Sequence, residues 1–141
     1  GAYLHDIGKI QISKDILIKK AKLTEEEWEI LKAHPQNGID IVKPVEALID
    51  VLPLIHHHHE RHDGTGYPDK LKGEDIPYLV RILSVADSFD AMTSNRPYHD
   101  RKSYDEAIQE LKLCSSTQFH PETVIEFINM LEENKDRIDF K

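Results

Sequence analysis

Apolar residues recur along the chain mainly at the three- and four-residue spacing of α-helices, and no segment of consequence alternates as a β-strand does. Residues 78–94 are apolar on nearly all sides, so they are predicted to form a buried central helix. Residues 45–60 are predicted to form another long helix, because Leu48, Leu52 and Ile55 fall on one stripe of it. The pattern therefore predicts an all-α fold.

Capping signals mark where several shorter helices begin. A Thr-Glu-Glu-Glu run at 24–27 and a Ser-Tyr-Asp-Glu run at 103–106 have the spacing of capping boxes, and Pro121 suits the first position of a last helix. The helix that begins after Thr24 is expected to end near His34, and residues 38–42 are expected to form another. Together these signals predict the order of the helices along the chain.

Two segments are predicted to interrupt the helical pattern. Residues 1–6 have the pattern of a helix end, and Gly8 is expected to break that helix. Residues 63–77 are rich in glycine and proline, so they are predicted to form a loop. We expect residues 1–141 to be a single domain that lacks its first helix or helices.

Composition narrows the class of protein further. A net charge of −8 disfavours binding to nucleic acid polymers, which requires a basic face. No apolar stretch is long enough for membrane insertion, and no secretion signal is present. The single cysteine, Cys114, fits a reducing compartment, so a cytoplasmic location is predicted.

The densest candidate chemistry is a run of four histidines at 56–59, followed by Glu60, Asp63 and a Gly-Thr-Gly-Tyr-Pro turn. Imidazole and carboxylate groups are ligands of divalent metals. Four consecutive helical residues cannot face one point, so His58 and His59, which are nearest the acids, are the predicted ligands. The first two histidines are expected to be packing or supporting groups, and Glu60 to orient an imidazole by accepting its second N–H.

A second cluster lies at the start of the chain. His5 and Asp6 are adjacent at a predicted helix end. His5 could bind one metal ion there, while the Asp6 carboxylate bridges to a second metal ion. Lys9 follows closely enough to contact a phosphoryl oxygen. The alternative interpretation is a histidine that stabilises the helix dipole beside a solvated aspartate, and the same alternative holds for His34 alone.

Asp87 and Asp90 lie three residues apart on the predicted central helix, so we expect them on one buried face. Buried carboxylates require a partner. A metal is the favoured partner of Asp87, and a salt bridge to Arg81 or Arg96 is the alternative. Arg96 also belongs to a basic loop that could clamp a phosphate group.

These motifs resemble those of the HD-GYP family, a subgroup of the HD-domain metal-dependent phosphohydrolases. The matching segments occur in the family's order over nearly the whole chain, at residues 4–9, 23–27, 34–35 with Gly38, 58–60 with 63–68, 86–91 and 96–98. The resemblance implies an HD-domain-like helical bundle with a Gly/Pro-rich GYP loop. It also implies two or three divalent metal ions, with Fe or Mn expected.

The resemblance further implies hydrolysis of cyclic di-GMP to linear pGpG or GMP by a metal-bridging hydroxide. The implied metal ligands are His5, Asp6, His34, His58, His59 and Asp87. Lys9 and Asp6 would be catalytic, and Lys9 and Arg96 would bind substrate. The positions that would support the site or shape its loop are Glu60, Asp63, Gly64, Gly66, Tyr67, Pro68 and Asp90.

The sequence departs from the family pattern in three places. The family's first histidine ligand lies on a helix upstream of His5, and the sequence does not include it. We therefore expect an upstream domain, a partner chain or a second copy of this chain to cover the face left open. His99 stands at a position that is typically basic, and His120 replaces the aspartate of an Asp-Pro pair, which is expected to weaken a helix N-cap.

Two alternative functions are compatible with the motifs. The domain could be a non-catalytic signalling module that uses the GYP loop to bind a diguanylate-cyclase (GGDEF) domain. It could also be a phosphohydrolase for another cyclic dinucleotide or a nucleotide. Every ligand position present in the sequence is filled, which favours the enzyme.

Overall fold

The computed structural model of the protein describes residues 2–94 and 101–134. Over these ranges the all-α prediction is confirmed, and an isolated bridge between Ser115 and Phe119 is the sole β pairing. The α-helices, in chain order, are α1 (Lys14–Leu17), α2 (Glu25–Lys32), α3 (His34–Val42), α4 (Leu52–His57), α5 (Tyr78–Thr93), α6 (Tyr104–Leu113) and α7 (Pro121–Glu133). Three 3-10 helices occupy Ile7–Gln11, Glu46–Val51 and Gly73–Asp75.

Both predicted capping boxes are present. Thr24 accepts a hydrogen bond from the N–H of Glu27, whose carboxylate accepts the N–H of Thr24 in return. Ser103 and Glu106 make the same reciprocal pair at the start of α6. Each cap satisfies backbone N–H groups that a helix start leaves unpaired, which stabilises the helix by about 1 kcal/mol.

His120 makes no capping hydrogen bond among the described residues, as expected for a histidine at this position. Its imidazole is buried, and Nε2 lies 2.7 Å from a carboxylate oxygen of Glu74. Arg81 binds the same carboxylate and the backbone carbonyls of Glu74 and Ile76. The loop before α5 is therefore attached both to α5 and to the start of α7.

Three boundaries differ from the sequence predictions. His34 begins α3 instead of ending α2, which is possible because the N–H that Pro35 lacks has no partner in the first turn of a helix. Residues 46–57 divide into a 3-10 helix and α4, since Pro53 cannot continue a helix that began at Glu46. Gly8 lies within the 3-10 helix at Ile7–Gln11, and residues 2–6 are turns.

The main core lies where α5, α6 and α7 meet. It is made of buried residues from all three helices and the turn before α7: Val85, Phe89, Ala107, Ile108, Leu111, Phe119, Val124, Ile128 and Leu131. The prediction that α5 is buried on all sides is wrong, because Tyr78 and Leu79 are 66% and 60% exposed. Helices α4, α6 and α7 pack against α5 and bury Val80, but they leave the side of its first turn that carries Tyr78 and Leu79 open.

A second layer brings the start of the chain onto α3 and α4. The 3-10 helix at Ile7–Gln11 packs against α3, and α3 packs against α4. The backbones approach closely at Gly8, where a Cβ would overlap the carbonyl of His34 and lie 2.5 Å from the nitrogen of Gly38. Only glycine fits there, and its presence sets the residues before it beside His34.

The longest described helix, α5, has 16 residues, and a membrane-spanning helix needs about 20 that are mostly apolar. None of the described helices combines the length and apolarity required to cross a bilayer.

Candidate metal centre

Four of the predicted ligands lie together where the two layers meet. The donor atoms of Asp6, His34, His58 and His59 are all within 4.8 Å of one another. Asp6 precedes the first 3-10 helix, His34 begins α3, and His58 caps the end of α4. Segments far apart in the sequence therefore present their polar side chains to one point.

The distances around Asp6 fit metal ligands better than hydrogen bonds. Asp6 Oδ1 lies 3.5 Å from His34 Nε2 and 3.6 Å from His58 Nε2, and Asp6 Oδ2 lies 3.5 Å from His5 Nε2. An N–H···O hydrogen bond rarely exceeds about 3.2 Å. Two ligands that share one divalent metal at about 2.1 Å are roughly 3–3.5 Å apart. These atoms are thus spaced as neighbouring ligands of a common ion would be.

The orientation of three imidazoles is set by the backbone. Nδ1 of His5, His34 and His58 lies 2.5, 2.7 and 2.8 Å from the carbonyl oxygen three residues earlier in the chain. Because a carbonyl only accepts hydrogen bonds, each of these Nδ1 atoms carries a proton, and the Nε2 atom is the ring nitrogen directed towards Asp6 and free to bind a metal. His34 Nε2 and His58 Nε2 are 3.2 Å apart, close enough to be neighbouring ligands of one cation.

The protonation states of the clustered side chains also favour the binding of a cation. Burial lowers the pKa of His34 and lowers that of His59 to about 3, so both rings are neutral near pH 7. Burial opposes ionisation of Asp6, but its contacts with His58 and Lys9 outweigh that effect and hold the Asp6 pKa below its ordinary value. Neutral imidazole and ionised carboxylate are the forms that bind metal.

One oxygen of the central carboxylate lacks any other partner. Asp6 Oδ1 is buried and accepts no hydrogen bond from the described residues, while Oδ2 accepts one from Lys9 Nζ at 2.6 Å. A buried carboxylate oxygen without a partner is costly. The orphaned oxygen, the Nε2 atoms directed towards Asp6 and the donor chemistry together fit a divalent metal.

His5 and Asp87 extend the cluster on the side of Asp6 Oδ2. His5 Nε2 lies 3.4 Å from Asp87 Oδ1, and this contact raises the pKa of His5 against the opposing effect of burial. The same contact lowers the pKa of Asp87. Two carboxylates and one imidazole therefore favour a positive charge at this point, either a proton on His5 or a metal ion.

Asp90 does not join this cluster, and the expectation that it is buried with Asp87 is wrong. It is exposed, and its carboxylate accepts a hydrogen bond from Ser94 Oγ at 3.1 Å. Three residues leave the two side chains about 60° apart around the helix axis, and on α5 that angle places Asp87 beside the cluster and Asp90 in solvent. The alternative of a salt bridge to Arg81 is also wrong, since Arg81 pairs with Glu74. Arg96 and His99 lie outside the described residues.

Glu60 has a different role from the predicted one. It is only 3% exposed, and its carboxylate accepts the backbone N–H groups of Asp69 and Leu71 at 2.7 and 3.1 Å. It therefore holds the loop that follows the histidines, and the prediction that it orients an imidazole is wrong. The loop's N–H groups have no helix or strand to pair with, so a buried acceptor satisfies them.

The GYP loop, residues 64–68, forms one wall of the site. Gly66 is required there because a Cβ would lie 2.6 Å from the carbonyl oxygen of His59. Tyr67 stacks on the His59 ring at 4.8 Å, and the bond from Tyr67 to Pro68 is cis. Before the loop, Asp63 accepts hydrogen bonds from Arg61 and Thr65, and these hold its pKa below the ordinary value.

A cavity of about 520 Å³ opens beside the metal cluster. Its walls include His58, His59, Tyr67 and Asp87, and also Trp28 and Lys32 of α2. Trp28 and Lys32 are not among the site residues predicted from the sequence. Trp28 is 43% exposed, and Lys32 Nζ lies 5.9 Å from the centre of its ring. The sequence feature that could have indicated a binding role for Trp28 is its position among the glutamates of a capped helix.

The fold and cluster define a helical domain with a candidate divalent-metal centre, and comparison with known proteins identifies its family. The sequence model of the HD domain family matches residues 1–139. The chain belongs to the HD domain family and, within it, to the HD-GYP subgroup.

Among curated proteins, the chain is 45% identical over 139 residues to a cyclic di-GMP phosphodiesterase of Thermotoga maritima, covering 96% of this chain and 37% of that protein. It is 39% identical over 123 residues to 3'3'-cGAMP-specific phosphodiesterase 2 of Vibrio cholerae, covering 86% and 24%. The chain therefore spans about a quarter to two fifths of the length of these relatives.

Solved structures share the fold. A cyclic GMP-AMP specific phosphodiesterase of V. cholerae aligns with a TM-score of 0.67 at 21% identity, over 97% of this chain and 37% of that one. An HDG"Y"P protein from Bdellovibrio bacteriovorus aligns with a TM-score of 0.69 at 22% identity, over 92% and 41%.

Proposed function

We propose that the chain is a metal-dependent phosphodiesterase domain that hydrolyses cyclic di-GMP to linear pGpG or GMP. The observation that carries this proposal is the Asp6 carboxylate, whose two oxygens face different imidazoles beside an open cavity. The similar proteins named as phosphodiesterases of cyclic di-GMP or 3'3'-cGAMP support the substrate class. The phosphate diester of a cyclic dinucleotide is the bond to be cleaved.

Two groups of residues would each hold an ion, and we propose Fe or Mn as the metal. His34, His58 and His59 would bind one ion with Asp6 Oδ1. On the other side of the carboxylate, His5 and Asp87 would bind a second with Asp6 Oδ2. Bound divalent ions would supply a nucleophilic water at neutral pH and charge stabilisation at the phosphoryl oxygens.

Lys9 supports the same chemistry with its own charge. Its ammonium donates to Asp6 Oδ2 at 2.6 Å and is about one third exposed. It therefore helps to keep Asp6 ionised, and its remaining N–H donors could bind a phosphoryl oxygen held at the metal cluster. Arg96 remains a proposed second phosphate contact.

The cavity suits the rest of a cyclic dinucleotide. Its volume of about 520 Å³ lies within the roughly 300–1,000 Å³ of small-molecule sites. Trp28 offers a partly exposed ring on which a base could stack, and the neighbouring Lys32 offers a positive charge for a phosphate. These local cations and bound metal would offset the net charge of −8.

A contact with another protein surface is a second part of the proposal. Tyr78, Leu79 and Ile82 leave an apolar patch exposed on α5. A GGDEF domain, an upstream domain or a second copy of this chain are the candidate occupants, and a cytoplasmic location would suit each of them. Size-exclusion chromatography of the chain, alone and mixed with a GGDEF domain, would test for such a contact.

The activity test is turnover of cyclic di-GMP and of 3'3'-cGAMP by the chain loaded anaerobically with Fe²⁺ or Mn²⁺, with products separated by anion-exchange chromatography. We expect linear dinucleotide or mononucleotide only with metal. Lys9→Met should lower turnover about 10- to 100-fold, whereas Lys14→Met, a change at an exposed lysine of α1, should not. Absence of turnover with every metal and both substrates would contradict the proposal.

A further inference from the structure

We infer that His56, His57 and Asp69 form a second metal site, separate from the centre around Asp6, that takes Zn²⁺ or a similar divalent ion. His56 and His57 are the last residues of α4, and Asp69 follows the GYP loop. Their donor atoms all lie within 4.8 Å of one another.

The spacing is that of ligands around an ion. Asp69 Oδ2 lies 3.6 Å from His56 Nδ1 and 3.7 Å from His57 Nδ1. Both distances exceed the roughly 3.2 Å limit of a good hydrogen bond. Two ligands on one tetrahedral Zn²⁺ are about 3.4 Å apart, so a small inward movement would complete the site.

The His57 imidazole also lacks, among the described residues, the kind of partner that fixes the other rings. Nδ1 of His34 and His58 is held by a backbone carbonyl, but Nδ1 of His57 is buried without a hydrogen-bond partner among the described residues. The rings of His56 and His57 meet edge to face, with centroids 4.7 Å apart. A buried donor atom without a partner, aimed at a carboxylate, is what an ion would satisfy.

The backbone already places the carboxylate for this role. The N–H of Asp69 donates to Glu60 at 2.7 Å, which brings the chain after the GYP loop back beside the end of α4. Two imidazoles and one carboxylate are a frequent zinc ligand set, with water in the fourth position. An ion here would tie Asp69 to α4 and thereby brace Tyr67 against His59.

The test uses Zn²⁺ alone, with bound metal counted by elemental analysis after equilibrium dialysis and affinity measured by calorimetry. Asp69→Asn should lose one bound Zn²⁺ per chain, or weaken it at least 10-fold, while sites sensitive to Asp6→Asn remain. The double variant Asp6→Asn/Asp69→Asn should lose the Zn²⁺ ions of both sites. His56→Gln and His57→Gln should each reproduce the effect of Asp69→Asn, because both histidines are partly exposed and can be replaced without disturbing the core.

Asp75→Asn is the matched control, since Asp75 is an exposed carboxylate of the same connecting segment. It should bind as many Zn²⁺ ions as the unmodified chain. Unchanged stoichiometry and affinity in Asp69→Asn, His56→Gln and His57→Gln would overturn the inference, as would an equal loss in Asp75→Asn. Neither result depends on whether the chain hydrolyses a cyclic dinucleotide.

Discussion

Replacement of Glu60 by glutamine should detach the GYP loop while leaving every proposed metal ligand in place. The carboxylate of Glu60 is 3% exposed and accepts two backbone N–H groups. A glutamine amide has one accepting oxygen, and its NH₂ group would face the second N–H. One buried N–H would therefore lose its partner, and the other would lose a charged acceptor.

The cost follows from those two contacts. An unsatisfied buried donor costs about 1–3 kcal/mol, and the loss of charge weakens the remaining hydrogen bond by roughly 1 kcal/mol. We expect Glu60→Gln to lower the free energy of unfolding by about 2–4 kcal/mol in urea titrations of the metal-free chain. Protease cleavage within residues 63–77 should also become faster.

Glu46→Gln provides the control for a loss of charge alone, because Glu46 is exposed at the start of a 3-10 helix. It should change the free energy of unfolding by no more than about 0.5 kcal/mol. If Glu60→Gln were as stable as this control and equally resistant to protease, Glu60 would not be holding the loop.

Three further predictions follow from the site. Gly8→Ala should destabilise the chain by about 1–3 kcal/mol in the same titrations, because its Cβ would strike the backbone of His34; a wild-type stability would refute this. Without metal, stability should fall as pH drops from about 6.5 towards the folded pKa of His59 of about 3, since the unfolded chain binds protons first. The loss should be roughly 2 kcal/mol by pH 4.5 and smaller in His59→Gln, measured by thermal unfolding. Trp28→Ala should raise KM for cyclic di-GMP about 5- to 100-fold with little change in kcat, and an unchanged KM would remove Trp28 from the binding site.

The parts of the fold that local chemistry determines could be predicted from the sequence. The capping boxes at Thr24 and Ser103 involve residues three apart, and their hydrogen bonds form as the sequence alone suggests. Pro121 begins α7 for an equally local reason. The grouping of His34, His58 and His59 with Asp6 could be proposed only through the family resemblance, because these residues come from separate helices and turns.

The errors concern features that depend on tertiary contacts. The role of Glu60 was missed because its partners are N–H groups nine and eleven residues away in a loop. The exposed turn at Tyr78 was missed because an apolar helix sequence does not reveal which neighbours cover it. Similarly, the exposure of Asp90 could not be predicted, because the sequence does not show which face of α5 points to the metal cluster.

The central claim is that Asp6 joins two groups of metal ligands in one hydrolytic site. Its most direct test compares Asp6→Asn with Asp40→Asn, an exposed aspartate of α3, after anaerobic loading with Fe²⁺ or Mn²⁺. We predict that Asp6→Asn loses at least one bound ion per chain and more than about 100-fold of its turnover of cyclic di-GMP, while Asp40→Asn keeps both. Equal metal content and turnover in the two variants would contradict the account.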